Sequence, residues 1–173
     1  MKKFLVGLIV IITIILLVLI QINLLNVITF AGVAANIGIV VTTAMGLLCG
    51  KEVGTTVGGI YGLIIDIIFG KSLGFYFLLY MILGFCCGMI GRGFSKDNKT
   101  TLVVMVGVAT ILFEILSYGL GMIIYNYNFA IFSILIFAIK EAIYNILIGV
   151  ILFKPLTLLA EIINKSKNSY YLL

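Results

Sequence analysis

Six long apolar runs decide what this chain can become. They cover about 4–20, 30–49, 53–70, 73–92, 102–125 and 130–153, and short joints separate them. A helix needs about 20 mainly apolar residues to cross the hydrocarbon core of a bilayer. Backbone polar groups in lipid must be satisfied within the segment, which favours helices. The expected fold is therefore an all-α integral membrane protein with six transmembrane helices in a single domain over residues 1–173. Composition agrees: 64% of the residues are hydrophobic and 10% are charged, against about 25% charged in soluble domains. No stretch is left over for a separate soluble domain.

The first run follows a basic start, Lys2-Lys3, as a signal peptide would. Its apolar stretch is longer than the usual 7–15 residues of a signal peptide, and no A-x-A cleavage site follows. It reads as a retained first transmembrane helix.

Lysines and arginines cluster on the cytoplasmic side of membrane proteins. With the N-terminus inside, Lys2, Lys3, Lys51, Arg92, Lys96, Lys99, Lys154, Lys165 and Lys167 fall on the inner side, and Lys71 alone falls on the outer side. Both termini are expected in the cytoplasm. The net charge of +5 is then accounted for by contact with anionic lipid. Nucleic-acid binding is not expected, because no basic face with interleaved aromatics is present.

The chemistry available is narrow. There is no histidine, and Cys49, Cys86 and Cys87 lack CxxC spacing. His-based metal sites and Ser/His or Cys/His catalysis are excluded, and the cysteines read as small apolar helix residues. No phosphate cradle or ATP-binding motif occurs. Neither an enzyme nor a cofactor is expected.

Glu52–Gly74, EVGTTVGGIYGLIIDIIFGKSLG, is the most informative stretch. Glycine costs a helix roughly 1 kcal/mol relative to alanine, so its use here signals close backbone approach. Gly54, Gly58, Gly59 and Gly62 predict a groove for helix packing or for a partner. Gly84 and Gly88 in the next run can supply the other side of the contact. Gly70 and Gly74 mark the turn between the third and fourth helices. Asp66, buried in an apolar run, needs a donor. Asn36, the helix-end amides after Gly70, Lys71 and Ser72 are the candidates. A pin for the turn is the structural reading, and proton or cation binding is the functional one.

Further polar residues lie deep in the apolar runs. Asn36, Thr42, Thr43 and Gly46 belong to the second, and Asn36 suits an interhelical hydrogen bond. Glu114 is central in the fifth; Lys140, Glu141, Tyr144 and Asn145 are central in the sixth. If the last two runs form a hairpin, Glu114 comes level with Lys140 and Glu141. This predicts a buried Glu114–Lys140 pair, with Glu141 held by Tyr144 or Asn145 or kept protonated. A polar network inside the bundle and a ligand or proton site are both open readings.

Gly54, Gly58 or Gly59, Gly62, Leu63, Asp66, Gly70, Leu73 and Gly74 form the pattern G-x-x-x-G-G-x-x-G-L-x-x-D-x-x-x-G-x-x-L-G. In this the chain resembles the MreD family of bacterial rod-shape-determining proteins. Length, helix number and Lys154-Pro155-Leu156 fit as well; Ala35 departs, since the family commonly has proline there. The resemblance implies a multi-pass protein of the bacterial cytoplasmic membrane, similar in fold to the substrate-binding subunits of energy-coupling-factor transporters. It implies a non-catalytic scaffold of the cell-wall elongation machinery. The partner it implies is the membrane protein MreC, and through MreC the cytoskeletal MreB and the RodA–transpeptidase synthase. The alternative is a small-molecule, vitamin-like substrate-binding subunit of an energy-coupling-factor transporter.

Overall fold

A computed structural model describes residues 2–25, 29, 32–69, 73–91, 99–125 and 131–168. Among them are six α-helices: α1 (Lys2–Ile20), α2 (Ile37–Cys49), α3 (Lys51–Phe69), α4 (Phe75–Ile90), α5 (Lys99–Tyr125) and α6 (Ile131–Asn168). A π-helical turn, Gln21–Leu25, continues α1. Four helical stretches, Phe4–Asn23, Lys51–Phe69, Lys99–Ile124 and Phe132–Ser166, are long and apolar enough to cross a membrane; α2 and α4 are shorter apolar helices. Gly70, Lys71 and Ser72, the loop Arg92–Asn98 and the last residues of the tail lie outside the described residues.

The bundle is built around α2. Its sequence, IGIVVTTAMGLLC, is apolar or small on every face, and all thirteen residues are buried. A helix apolar all round belongs in a core. It packs against α3, α4, α5 and α6, while α1 lies along α3 and α6. Thirteen residues span about 20 Å, short of the roughly 30 Å hydrocarbon core. An enclosed helix is under no obligation to match the bilayer, because its neighbours face the lipid. Large apolar side chains along α1, α4, α5 and α6, such as Ile12, Ile82, Leu112 and Ile151, point outward.

The expected second helix, 30–49, is corrected at its start. Gly32 has φ +81°, and Asn36 is extended and caps α2 with its side chain, accepting from the Ile39 N–H at 3.4 Å. Asparagine bonds a free helix-end amide better than it fits mid-helix. At the other end Gly50, at φ +87°, stops α2 and donates its N–H to the Gly46 carbonyl (2.9 Å). This positive φ suits glycine. α3 begins at the next residue.

The expected end of the sixth helix at 153 is also corrected. α6 runs through Pro155. Leu156, Leu159, Ala160 and Ile163 are buried, and their i, i+3, i+4, i+7 spacing keeps one face on the bundle. That packing outweighs the hydrogen bond proline cannot make. The extension also closes the C-terminal end of α2: the Asn164 side-chain amide donates to the Leu48 carbonyl at 3.2 Å, and the Cys49 thiol points at the Ala160 carbonyl (3.8 Å).

Candidate functional site

Two features come from the residues singled out above: a glycine seam along α3, and a polar cluster where α2 begins.

The seam is closed by the protein itself. A Cβ placed on Gly58 would strike the Tyr80 carbonyl oxygen, and one on Gly62 the Tyr76 carbonyl. Gly54 and Gly84 face each other backbone to backbone beside Gly46 of α2, and Gly88 lies against the backbone of Lys51. Gly59 faces the edge of the Phe77 ring. The glycines thus let α4 and α2 approach α3 without side chains between them, which is how small residues bring membrane helices together. As a partner groove the seam is corrected: α4 occupies it. Thr42 completes the contact with its methyl group, toward which Cβ atoms on Gly58 and Gly84 would point. Its hydroxyl has no hydrogen-bond partner among the described residues. Thr43 accepts from the Cys87 thiol (3.8 Å).

Asp66 is 1% exposed. Its carboxylate accepts from the backbone N–H groups of Gly74, Tyr76 and Phe77, each at 2.9 Å. These are amides at the start of α4, which have no partner within their own helix. A negative charge there also meets the positive end of the helix dipole. Among the described candidate donors, the helix-end amides hold it; Lys71 and Ser72 lie outside the described residues. Gly74, at φ +104°, lets the chain turn into α4.

The N-terminus of α2 lies deep in the bundle, so its free amides need partners other than water. The Asn36 N–H donates to Asn145 Oδ1 of α6 at 2.7 Å. The Tyr61 hydroxyl of α3 hydrogen-bonds the Gly38 backbone and donates to Gln21 Oε1 at 2.6 Å, tying in the end of α1. The Tyr80 hydroxyl of α4 donates to Asn36 Oδ1 at 2.7 Å. Asn145 donates from Nδ2 to Thr110 Oγ1 (3.0 Å), and Thr110 donates to the Val106 carbonyl (2.8 Å). One asparagine cap therefore links α2, α4 and α6, and Asn145 extends the chain of bonds to α5.

Glu141 joins this cluster, hydrogen-bonding Glu114, Asn145 and Asn36. Both glutamates are buried. The expected depth match of Glu114 with α6 is present, and Glu114 hydrogen-bonds Glu141. Lys140, the preceding residue, is half-buried. The two carboxyl groups thus lie side by side where α2 begins. The positive end of α2 faces the same spot.

Glu114, Glu141 and Asn36 form the floor of a cavity of about 360 Å³. Its walls include Phe75, Tyr76, Phe113, Tyr118 and Phe137. The cavity goes with the late start of α2: residues 32–36 are not helical, and residues of α4, α5 and α6 line the space beside them. Sequence reasoning found the glutamates and Asn36 but missed Tyr61 and Tyr80. Their signal was a hydroxyl set in an apolar helix, where it must find a partner. Among the described residues no group of three His, Cys, Asp or Glu is placed to hold a metal ion.

The family model described as rod shape-determining protein MreD matches residues 1–163. No curated protein and no solved structure matches the chain.

Proposed function

The chain belongs to the MreD family of rod shape-determining proteins, and from that premise we propose that it is a non-catalytic scaffold of the cell-wall elongation machinery. On this reading it sits in the bacterial cytoplasmic membrane as one domain of six crossings, both termini inside. It binds MreC there, and through MreC it connects to MreB and the RodA–transpeptidase synthase. The carrying observation is the reach of the family match, from residue 1 into the last turns of α6. The apolar outward faces of α1, α4, α5 and α6 support membrane residence. Lys51, Lys99 and Lys165, at or near helix ends on the side where α1 begins, support that side being cytoplasmic.

The closed glycine seam moves the proposed partner surface elsewhere. α1 is the leading candidate, since most of its large apolar side chains are exposed. The alternative, a substrate-binding subunit of an energy-coupling-factor transporter with the same kind of six-helix fold, is less well supported. Such subunits meet their energising partner through alanine-rich stripes on helix one, and α1 has no alanine.

The role is tested in cells depleted of their own MreD, which are expected to round up. Expression of this chain should restore rods, as read from cell length-to-width ratio. Round cells despite normal amounts of the protein in the membrane would reject the shape role.

A further inference from the structure

The cavity above the N-terminus of α2 has a definite chemical character. Its volume, about 360 Å³, falls within the range of small-molecule pockets, roughly 300–1,000 Å³, which are mostly apolar with a few placed polar groups. At the ~30 Å³ that a water molecule occupies in liquid, it takes a ligand of about a dozen non-hydrogen atoms. Two acids, Glu114 and Glu141, stand side by side at its floor, and Asn36 hydrogen-bonds Glu141 there. Among the described residues, no lysine or arginine lines it. Aromatic rings, Tyr76, Phe113 and Tyr118 among them, form the sides.

We infer that this cavity is a binding site for a small organic cation, an ammonium group on an apolar body. Each part of the lining favours that class. The ammonium donates to the glutamate pair and forms charge-assisted hydrogen bonds. The ring faces attract the cation and cover the apolar body. An anion is disfavoured by both acids. A metal ion such as Ca²⁺ wants six to eight oxygen ligands, and aromatic walls do not provide them. A proton alone does not need a space of this size. Glu114 and Glu141 lie about ten residues from the nearer ends of α5 and α6, roughly 15 Å at 1.5 Å per residue. A charge at that depth is costly without a partner, which makes the site selective for a ligand that brings the opposite charge.

The inference is independent of the scaffold role, and its test does not read cell shape or partner capture. Full-length protein in phosphatidylcholine nanodiscs is unfolded thermally with 2-phenylethylammonium chloride. Sodium chloride of equal ionic strength and the neutral 2-phenylethanol serve as controls. At a probe concentration about a hundred times its Kd, the ammonium should raise Tm by roughly 5–10 °C, and neither control should match it. Glu114→Gln with Glu141→Gln keeps the shape of both side chains and should lose the shift. Ser117→Phe fills the cavity while leaving both acids in the chain and should lose it too, so a misfolded glutamine variant leaves the test intact. No shift at millimolar ammonium would overturn the proposal. So would an equal shift with the alcohol, which would mark an apolar filler, or an undiminished shift in Ser117→Phe, which would place binding elsewhere.

Discussion

Leucine at position 58 should cost the protein most of its stability. A Cβ alone on Gly58 meets the Tyr80 carbonyl oxygen, and that obstacle is backbone, which cannot rotate away. α3 and α4 share the most extensive contact in the bundle, so they would have to separate along its length. Overpacking a core costs about 1–3 kcal/mol and occasionally more; Gly58→Leu should reach at least ~3 kcal/mol, and Gly62→Leu, which faces the Tyr76 carbonyl, a similar amount. Set against a total of about 5–15 kcal/mol, either change should sharply lower the yield of folded protein. Gly119 is the internal control. Nothing lies within 4 Å of a Cβ there, so Gly119→Leu should be neutral or stabilise by up to ~1 kcal/mol through helix propensity. Unfolding in detergent followed by circular dichroism gives the comparison. Equal behaviour of Gly58→Leu and Gly119→Leu would mean that the seam is not closed by α4.

The second large effect is expected at Asp66. Its carboxylate accepts from three backbone amides at the start of α4. Alanine removes every acceptor while the amides stay buried. Losing a helix cap costs about 0.5–2 kcal/mol, and each buried group left unsatisfied about 1–3 kcal/mol. Asp66→Ala should therefore cost about 3 kcal/mol. Asp66→Asn keeps one carbonyl oxygen but turns an NH₂ toward amides, and should fall between wild type and alanine. Hydrogen exchange locates the damage: the Gly74, Tyr76 and Phe77 amides should exchange faster in both variants, while α2 amides stay protected. Wild-type exchange at those three amides in Asp66→Ala would show that the carboxylate is not their acceptor.

The sequence was most legible where one physical demand acted alone. Apolar runs bounded by charge predicted the helices, and the α3 glycines predicted close approach, with Gly84 and Gly88 offered as the other side of the contact. Asp66 was readable as a pin because a carboxylate in an apolar helix must have donors. Legibility failed where two demands competed. The apolar run 30–49 hid the start of α2, because Asn36 caps a helix that is free to be short once enclosed. Lys154-Pro155 looked like a terminus, yet the stripe Leu156, Leu159, Ala160 and Ile163 carries α6 onward. The polar cluster needed tertiary structure. The depth match of Glu114 with α6 follows from counting, but whether Lys140 or Glu141 turns toward it depends on the rotation of α6. The cavity was invisible in the sequence, since it arises from the missing first turns of α2.

Packing explains the glycines of the seam without any partner, so the scaffold role rests on the outward surface. The most direct test is capture of MreC. Tagged full-length chain and MreC are expressed together, extracted in mild detergent and purified through the tag. MreC should co-purify in stoichiometric amount with the wild type and with Gly119→Leu, which leaves the bundle intact. Folded, monodisperse protein that retains no MreC would contradict the account.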